Sequence, residues 1–171
     1  MSLAVALPGR AYPVTLPAIA VVVDAVAAHG YAVRPVDWGV LAEVPADPDR
    51  WVAERLAEAA PDGCDLVVGK SLGTRAASYA AERAWPAVWV TPLLRDAAVV
   101  AGIRANPSPQ LLVCGAADPL HDASVAAALA CDVLELPGLD HALSAAGDGV
   151  VAPDDLALVT DATTAFLGRL G

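Results

Sequence analysis

The sequence predicts an α/β fold, a three-layer αβα sandwich on about six mainly parallel strands with no cap domain. Three observations lead there. Short runs rich in Val and Leu alternate with amphipathic or Ala-rich segments of helix length, as when crossover helices join parallel strands. Runs such as LVV and LLVC are apolar throughout, which suits strands covered by helices on both faces. Finally, 171 residues with 57% hydrophobic content suffice for one sizeable core and are few for two. A single domain over 1–171 is expected, since no internal repeat, low-complexity stretch or Ser/Gly linker divides the chain.

Taken in order, a strand is expected at 3–7, ahead of Pro8 and Gly9. The next apolar stretch predicts a helix over 16–29, with Pro17 at its start and Gly30 just past its end. A strand at 31–36 precedes a helix over 48–60 that opens on Pro48. The strand 66–68 leads through an abrupt turn into a helix over 72–83. A strand at 87–91 lies between Pro86 and Pro92, and a helix over 93–102 follows. The strand 110–114 stops at Gly115, and Asp122 reads as the N-cap of a helix over 123–130. A strand at 133–136 ends before Pro137, and a last helix runs over 153–170 from Pro153. Between 94 and 110 there is room for one helix only, so no inserted lid is expected and the site should be open.

The formal charge of −10 sets up a field that repels phosphate backbones and anionic head groups, which argues against nucleic acid or a membrane surface as partner. The acidic residues are scattered and read as a solvated face. Cys64, Cys114 and Cys131 are odd in number, lack CxxC spacing and sit in or beside apolar runs, so they read as small buried hydrophobes. The start lacks a basic stretch, and the apolar segment 16–28 contains Asp24 and is too short to span a bilayer. A cytoplasmic, reduced location is the expectation. Whether segment 16–28 is covered within a monomer or contributes to a homodimer stays open.

The segment around Gly69-Lys70-Ser71-Leu72-Gly73 reads as strand, tight turn, helix, with glycines two residues either side of Ser71. Such a turn strains the serine backbone, needs small neighbours and holds the hydroxyl out of the sheet. The Leu72 amide opens the following helix, where its N–H and the helix dipole can stabilise an oxyanion. A hydroxyl nucleophile needs a base, and the base a carboxylate to orient it. Asp118, just past the strand 110–114, and His141, just past the strand 133–136, supply them in the order Ser, Asp, His. All three groups lie at carboxyl ends of strands, the edge where open parallel sheets bind ligands.

Competing assignments are bland. His29 stands at a helix C-terminus, where an imidazole has a structural use. His121 is only three residues beyond Asp118 and reads as a site-lining or surface residue. Asp122 reads as a cap, Asp140 is a further competitor, and Asp96, after an earlier strand, is the fallback for the acid. The structural reading of the elbow itself is a small-residue turn packing helix on sheet, in a protein that binds a ligand without turning it over.

Five segments, LPGRAYP, VVGKSLGT, WVTPLL, LLVCGAADP and LELPGLDHAL, make nearly the whole chain resemble the α/β-hydrolase superfamily, and within it small capless bacterial members related to dienelactone hydrolases and carboxylesterases. The resemblance implies a minimal α/β-hydrolase fold and a second oxyanion-hole amide on the loop after the first strand, at Gly9 or Arg10. The chain departs from better-known members in Lys70, where they carry His, Tyr or another residue, and in Pro-Gly-Arg for His-Gly-Gly on the first loop. Substrate preference does not carry over.

Lys70 is the only lysine beside nine arginines. Next to the nucleophile, it reads as support behind the site together with Gly69 and Gly73, pairing with a buried carboxylate to hold the elbow or tuning the local field, or as an ordinary exposed or ion-paired lysine. A phosphate-loop reading fails because five residues separate Gly63 from Gly69 and form the strand itself. Tyr12, Trp38, Pro92, Leu93, Leu94, Leu120 and Leu143 lie on loops after strands, where they are expected either to wall a substrate pocket or to pack loop against helix. No metal-ligand spacing and no GxGxxG opens the first helix, so neither metal nor cofactor is expected. The expected chemistry is hydrolysis of a small ester or thioester, an acyl substrate, through an acyl-enzyme; the alternative is a fold kept for binding after activity is lost.

Overall fold

A computed structural model of the chain describes residues 2–145 and 149–170. The strands are β1 (Leu3–Leu7), β2 (Ala32–Pro35), β3 (Leu66–Lys70), β4 (Ala87–Val90), β5 (Gln110–Gly115) and β6 (Asp132–Leu136). The helices are α1 (Pro17–Ala28), α2 (Pro48–Ala59), α3 (Ala77–Glu82), α4 (Ala97–Ala105), α5 (Ala123–Ala128) and α6 (Pro153–Leu167). The strands form one parallel sheet in the order β2-β1-β3-β4-β5-β6. The three-layer αβα architecture expected from the alternation is therefore the one observed.

Successive strand residues point to opposite faces and build two cores. Val5, Leu7, Val67, Trp89 and Leu112 pack with Val52 and Leu56 of α2, Ala77 and Ala80 of α3, and Val99 and Ile103 of α4. On the other face Ala4, Ala6, Val68, Val88 and Val113 pack with Ile19, Val22 and Val26 of α1 and Val159 and Phe166 of α6. Both faces of β3, β4 and β5 are buried, which is why these runs carry no polar alternation. The edge strands β2 and β6 keep residues half-buried or exposed. Trp89 is fully buried, its indole N–H donating to Gln110 Oε1 at 2.9 Å, while the Gln110 amide donates to the Ile103 carbonyl. The polar ends of the core are thereby satisfied.

Two helices differ from expectation. The segment after Ser71 is a 3₁₀ turn over Ser71–Ala76 before α3 begins, because the elbow must turn sharply off β3 before an α-helix can settle on the sheet. The helix expected over 93–102 instead starts at Ala97 and reaches Ala105. Asp96 caps it, accepting from the Ala98 and Val99 amides, and so keeps residues 92–95 as loop. One nine-residue helix is all that stands between β4 and β5. No helix among the described residues is long and apolar enough to cross a membrane.

Strand order reverses direction at β1 and β3: the chain leaves β1 toward β2, then returns to place β3 on the other side. At such a switch point the connections leave on opposite faces and open a crevice at the carboxyl ends. Gly9 and Ser71 flank that crevice, with a Cβ built on Gly9 lying 3.6 Å from Ser71 Cβ.

Candidate active site

Ser71 sits immediately after β3 with φ +49, a left-handed conformation that only a strongly determined surrounding sustains in a serine. The flanking glycines are steric necessities. A Cβ on Gly69 would come 2.8 Å from the Trp89 ring, and one on Gly73 2.5 Å from the Leu7 carbonyl oxygen. Thr74 Oγ1 donates to the Ser71 carbonyl at 2.6 Å and stabilises the turn.

Asp118 follows β5 in a tight turn, its own amide donating to the Gly115 carbonyl and its carbonyl accepting from the His121 amide. The carboxylate is buried; Oδ1 accepts from the Leu120 amide at 2.8 Å and Oδ2 lies 2.7 Å from His141 Nδ1. The base loop is shaped by Asp140, whose carboxylate accepts from the Ala142 and Ser144 amides and the Ser144 hydroxyl. Burial pushes the Asp140 carboxyl up, but the Ser144 and Ala142 hydrogen bonds and the neighbouring His141 outweigh it and hold the group below the usual carboxylate range. Acid and base loops approach so closely that a Cβ on Gly115 would collide with the Leu139 carbonyl.

His141 Nε2 lies 2.7 Å from Ser71 Oγ. An ionised carboxylate only accepts, so the Nδ1–H is committed to Asp118 and Nε2 is left as acceptor for the Ser71 hydroxyl. The arrangement can draw a proton from a hydroxyl nucleophile and return it to a leaving group. The three residues expected from the sequence are thus brought together, from the ends of three strands.

Of the amides expected to face an oxyanion, that of Leu72 belongs to the second residue of the 3₁₀ turn, ahead of the intrahelical acceptors, so its N–H is unclaimed by the turn. On the loop after β1, the Gly9 amide already donates to the Tyr12 carbonyl at 2.9 Å, which removes Gly9 as a donor. The Arg10 amide meets no protein acceptor among the described residues. The Arg10 guanidinium donates to the Leu41 and Ala42 carbonyls and fastens this loop to the segment after β2.

A cavity of about 330 Å³ is lined by Arg10, Tyr12, Ser71, Asp140 and His141, among others. Of the seven expected wall residues, Tyr12 alone lines it. Leu93 and Leu120 line a separate cavity of about 230 Å³ with Arg75, Arg95 and Asp96. Trp38 donates to the Gly9 carbonyl at 3.0 Å and packs on Trp51, so it braces the loop instead of walling the site. Leu143, at φ +58, is fully buried in the core beneath the base loop; Pro92 and Leu94 are buried as well. Leu94 and Leu143 are drawn into the core before they can face a cavity, whereas Leu120 stays exposed.

Among the described residues Lys70 pairs with no carboxylate, contrary to one of the expectations. Its ammonium is buried and donates to Thr91 Oγ1 at 2.7 Å and to the His141 carbonyl at 2.8 Å. Among the rivals, His29 is the C-cap of α1 and exposed. His121 is buried with Nε2 2.6 Å from Glu135 Oε2, a partner that nothing in the sequence signalled. Asp122 caps α5, and Asp96 caps α4 and pairs with Arg75. Among the described residues no group of three or more His, Cys, Asp or Glu side chains could hold a metal ion.

No family model matches the chain. No curated protein matches it either. Among solved structures it is similar to Est1E from Butyrivibrio proteoclasticus with ferulic acid bound, at 16% identity and a TM-score of 0.74 over 99% of this chain and 89% of that one. It is similar also to the esterase domain of a Rhodothermus marinus protein, at 20% identity and a TM-score of 0.68 over 99% and 88%. A third likeness is to XC6422 from Xanthomonas campestris, described as a serine hydrolase without lid, at 17% identity and a TM-score of 0.68 over 98% and 81%. With the six-stranded parallel sheet and the single short helix between β4 and β5, these likenesses identify the fold of this chain as the α/β-hydrolase fold in a small, capless form.

Proposed function

We propose that the protein is a serine hydrolase that cleaves a small ester or thioester through an acyl-enzyme. The observation that carries the reading is the pair of 2.7 Å contacts linking Asp118, His141 and Ser71 in one line. Ser71 Oγ attacks the carbonyl carbon as its proton passes to His141 Nε2, and Asp118 steadies the imidazolium. The Leu72 and Arg10 amides receive the oxyanion. The tetrahedral intermediate collapses as His141 gives the proton to the departing alcohol or thiol. Water, activated by the same imidazole, then attacks the acyl-enzyme and releases the acid. Tyr12 and Ala142 flank the Ser71 cavity, and its volume suits a small acyl group partly open to solvent. That one structural neighbour is an esterase domain and another binds a carboxylic acid, ferulic acid, supports an ester as substrate.

The test is labelling by a fluorophosphonate probe, with the adduct mapped by mass spectrometry. A stoichiometric adduct on Ser71 in the wild type, absent from Ser71→Ala, is the expected result. Folded wild type that forms no adduct refutes hydrolysis and leaves ligand binding without turnover as the reading.

A further inference from the structure

Lys70 has 1% of its surface exposed, and no carboxylate among the described residues lies within 4 Å of its ammonium. Burying an ammonium without a counter-charge is costly, so its partners must compensate. The two hydrogen bonds, to Thr91 Oγ1 and the His141 carbonyl, take two of its N–H groups. The centre of the Tyr12 ring lies 4.5 Å from Nζ and faces the third. Three donors diverging from one nitrogen thus meet a hydroxyl, a carbonyl and a π face. Burial pulls the ammonium down to about 8, against the more distant carboxylates of Asp118 and Asp140, so it is charged at neutral pH.

Each of these acceptors belongs to a different part of the rim. Thr91 follows β4, His141 lies on the loop after β6, Tyr12 lies on the loop after β1, and Lys70 itself ends β3. Strain gathers around the same ammonium. Ser71 is its chain neighbour, Thr91 its hydrogen-bond partner and Leu143 two residues from His141, and all three have positive φ. For Thr91, a β-branched residue at φ +41, that conformation is a marked outlier. Strain of this kind persists where the surroundings over-determine it. A planar guanidinium could not direct three divergent donors into this space, which accounts for a lysine in a chain that otherwise uses arginine.

We propose that Lys70 is the positioning residue of this site, its buried ammonium clamping the Tyr12, Thr91 and His141 loops onto the end of β3 so that His141 Nε2 stays on Ser71 Oγ. Its kinetic consequence rests on the serine-hydrolase reading; its structural consequence does not.

Lys70→Met keeps most of the apolar stem and removes all three donors. Thr91→Val removes one acceptor at nearly constant volume, and Thr91→Ser keeps the hydroxyl. Fluorophosphonate inactivation is resolved into a limiting rate and a half-saturation concentration on proteins checked by circular dichroism, and amide hydrogen exchange is read over 137–145. Lys70→Met is expected to lower the limiting rate about 100-fold, with half-saturation unchanged within about twofold, and to speed exchange in the base loop. Thr91→Val lowers the rate about tenfold and Thr91→Ser leaves it near that of the wild type. A folded Lys70→Met with wild-type rate and wild-type exchange overturns the proposal. Should Lys70→Met not fold, equal rates and equal exchange for Thr91→Val and Thr91→Ser overturn it. If wild type forms no adduct, the hydrolase reading fails by itself, and the exchange comparison still decides the clamp.

Discussion

Gly73 and Leu7 touch backbone to backbone: a Cβ on Gly73 would stand 2.5 Å from the Leu7 carbonyl oxygen. This contact sets the turn after Ser71 against the end of β1, and so brings the loop carrying the Arg10 amide alongside the nucleophile. The second glycine of the turn is therefore a condition for bringing the Arg10 amide beside Ser71, as the proposed oxyanion site requires, as well as for the turn itself.

Gly73→Ala is expected to cost roughly 2–4 kcal/mol, because the obstruction is backbone that cannot move aside. Urea unfolding measures it, and labelling of Ser71 should fall in parallel. Gly168→Ala is the control. At φ −62, with 3.5 Å as its nearest contact, it should change stability by no more than about 0.5 kcal/mol.

Asp118→Asn keeps the shape of the side chain but offers an amide where His141 Nδ1–H needs an acceptor. Turnover of a small ester should drop by about 10³–10⁴ with the fold intact, because the imidazole then favours the wrong tautomer. Asp96→Ala separates this effect from loss of any acid near a strand end. It removes the α4 cap and one of the two Arg75 ion pairs, should cost about 1–2 kcal/mol by urea unfolding, and should leave ester turnover within about twofold of wild type.

Lys70 makes stability depend on pH in a defined direction. Its ammonium titrates at about 8 in the folded protein against 10.5 ordinarily, so between those values the unfolded chain binds more protons. The burial cost is fully present below pH 8 and is relieved as pH rises through 8 toward 10.5. Between pH 7 and 10 the wild type should gain about 2–3 kcal/mol relative to Lys70→Met in urea unfolding. An unchanged difference between the two proteins would refute a buried, charged Lys70.

The thiols work in the opposite direction. Burial pushes Cys64 and Cys114 up to about 12 from 9.0, so above pH 9 the unfolded chain loses thiol protons that the folded one keeps. Their contribution to stability is present below pH 9 and is lost as pH rises toward 12. At pH 8 iodoacetamide should modify neither in the folded protein and both in urea, as read by intact-mass spectrometry.

The strands were legible because burial on both faces leaves an unbroken apolar signature, as in LVV and LLVC. The register error at α4 arose because Pro92, Leu93 and Leu94 look like the start of an apolar helix. The Asp96 cap, only two residues past Leu94, overrides them by binding the first free amides of α4. The meeting of Ser71, Asp118 and His141 was legible because each is fixed by its place at the end of a strand. The pocket walls were not, since Leu143 and Leu94 differ from a lining residue only in which way the completed core draws them.

By itself, then, the sequence determined the αβα alternation, the six strands and the ordered Ser71, Asp118 and His141 at their carboxyl ends. These follow from local periodicity, turn chemistry and chain order. Only the tertiary structure decided that Lys70 binds the His141 carbonyl and not a carboxylate, that the Gly9 amide is spent on Tyr12, and that His121 meets Glu135. The Gly9 bond closes a turn within one loop, whereas the Lys70 and His121 pairings join elements of different strands, 71 and 14 residues apart in the chain. They depend on strand order and on angstrom-scale approaches between packed backbones, which no local pattern of residues encodes.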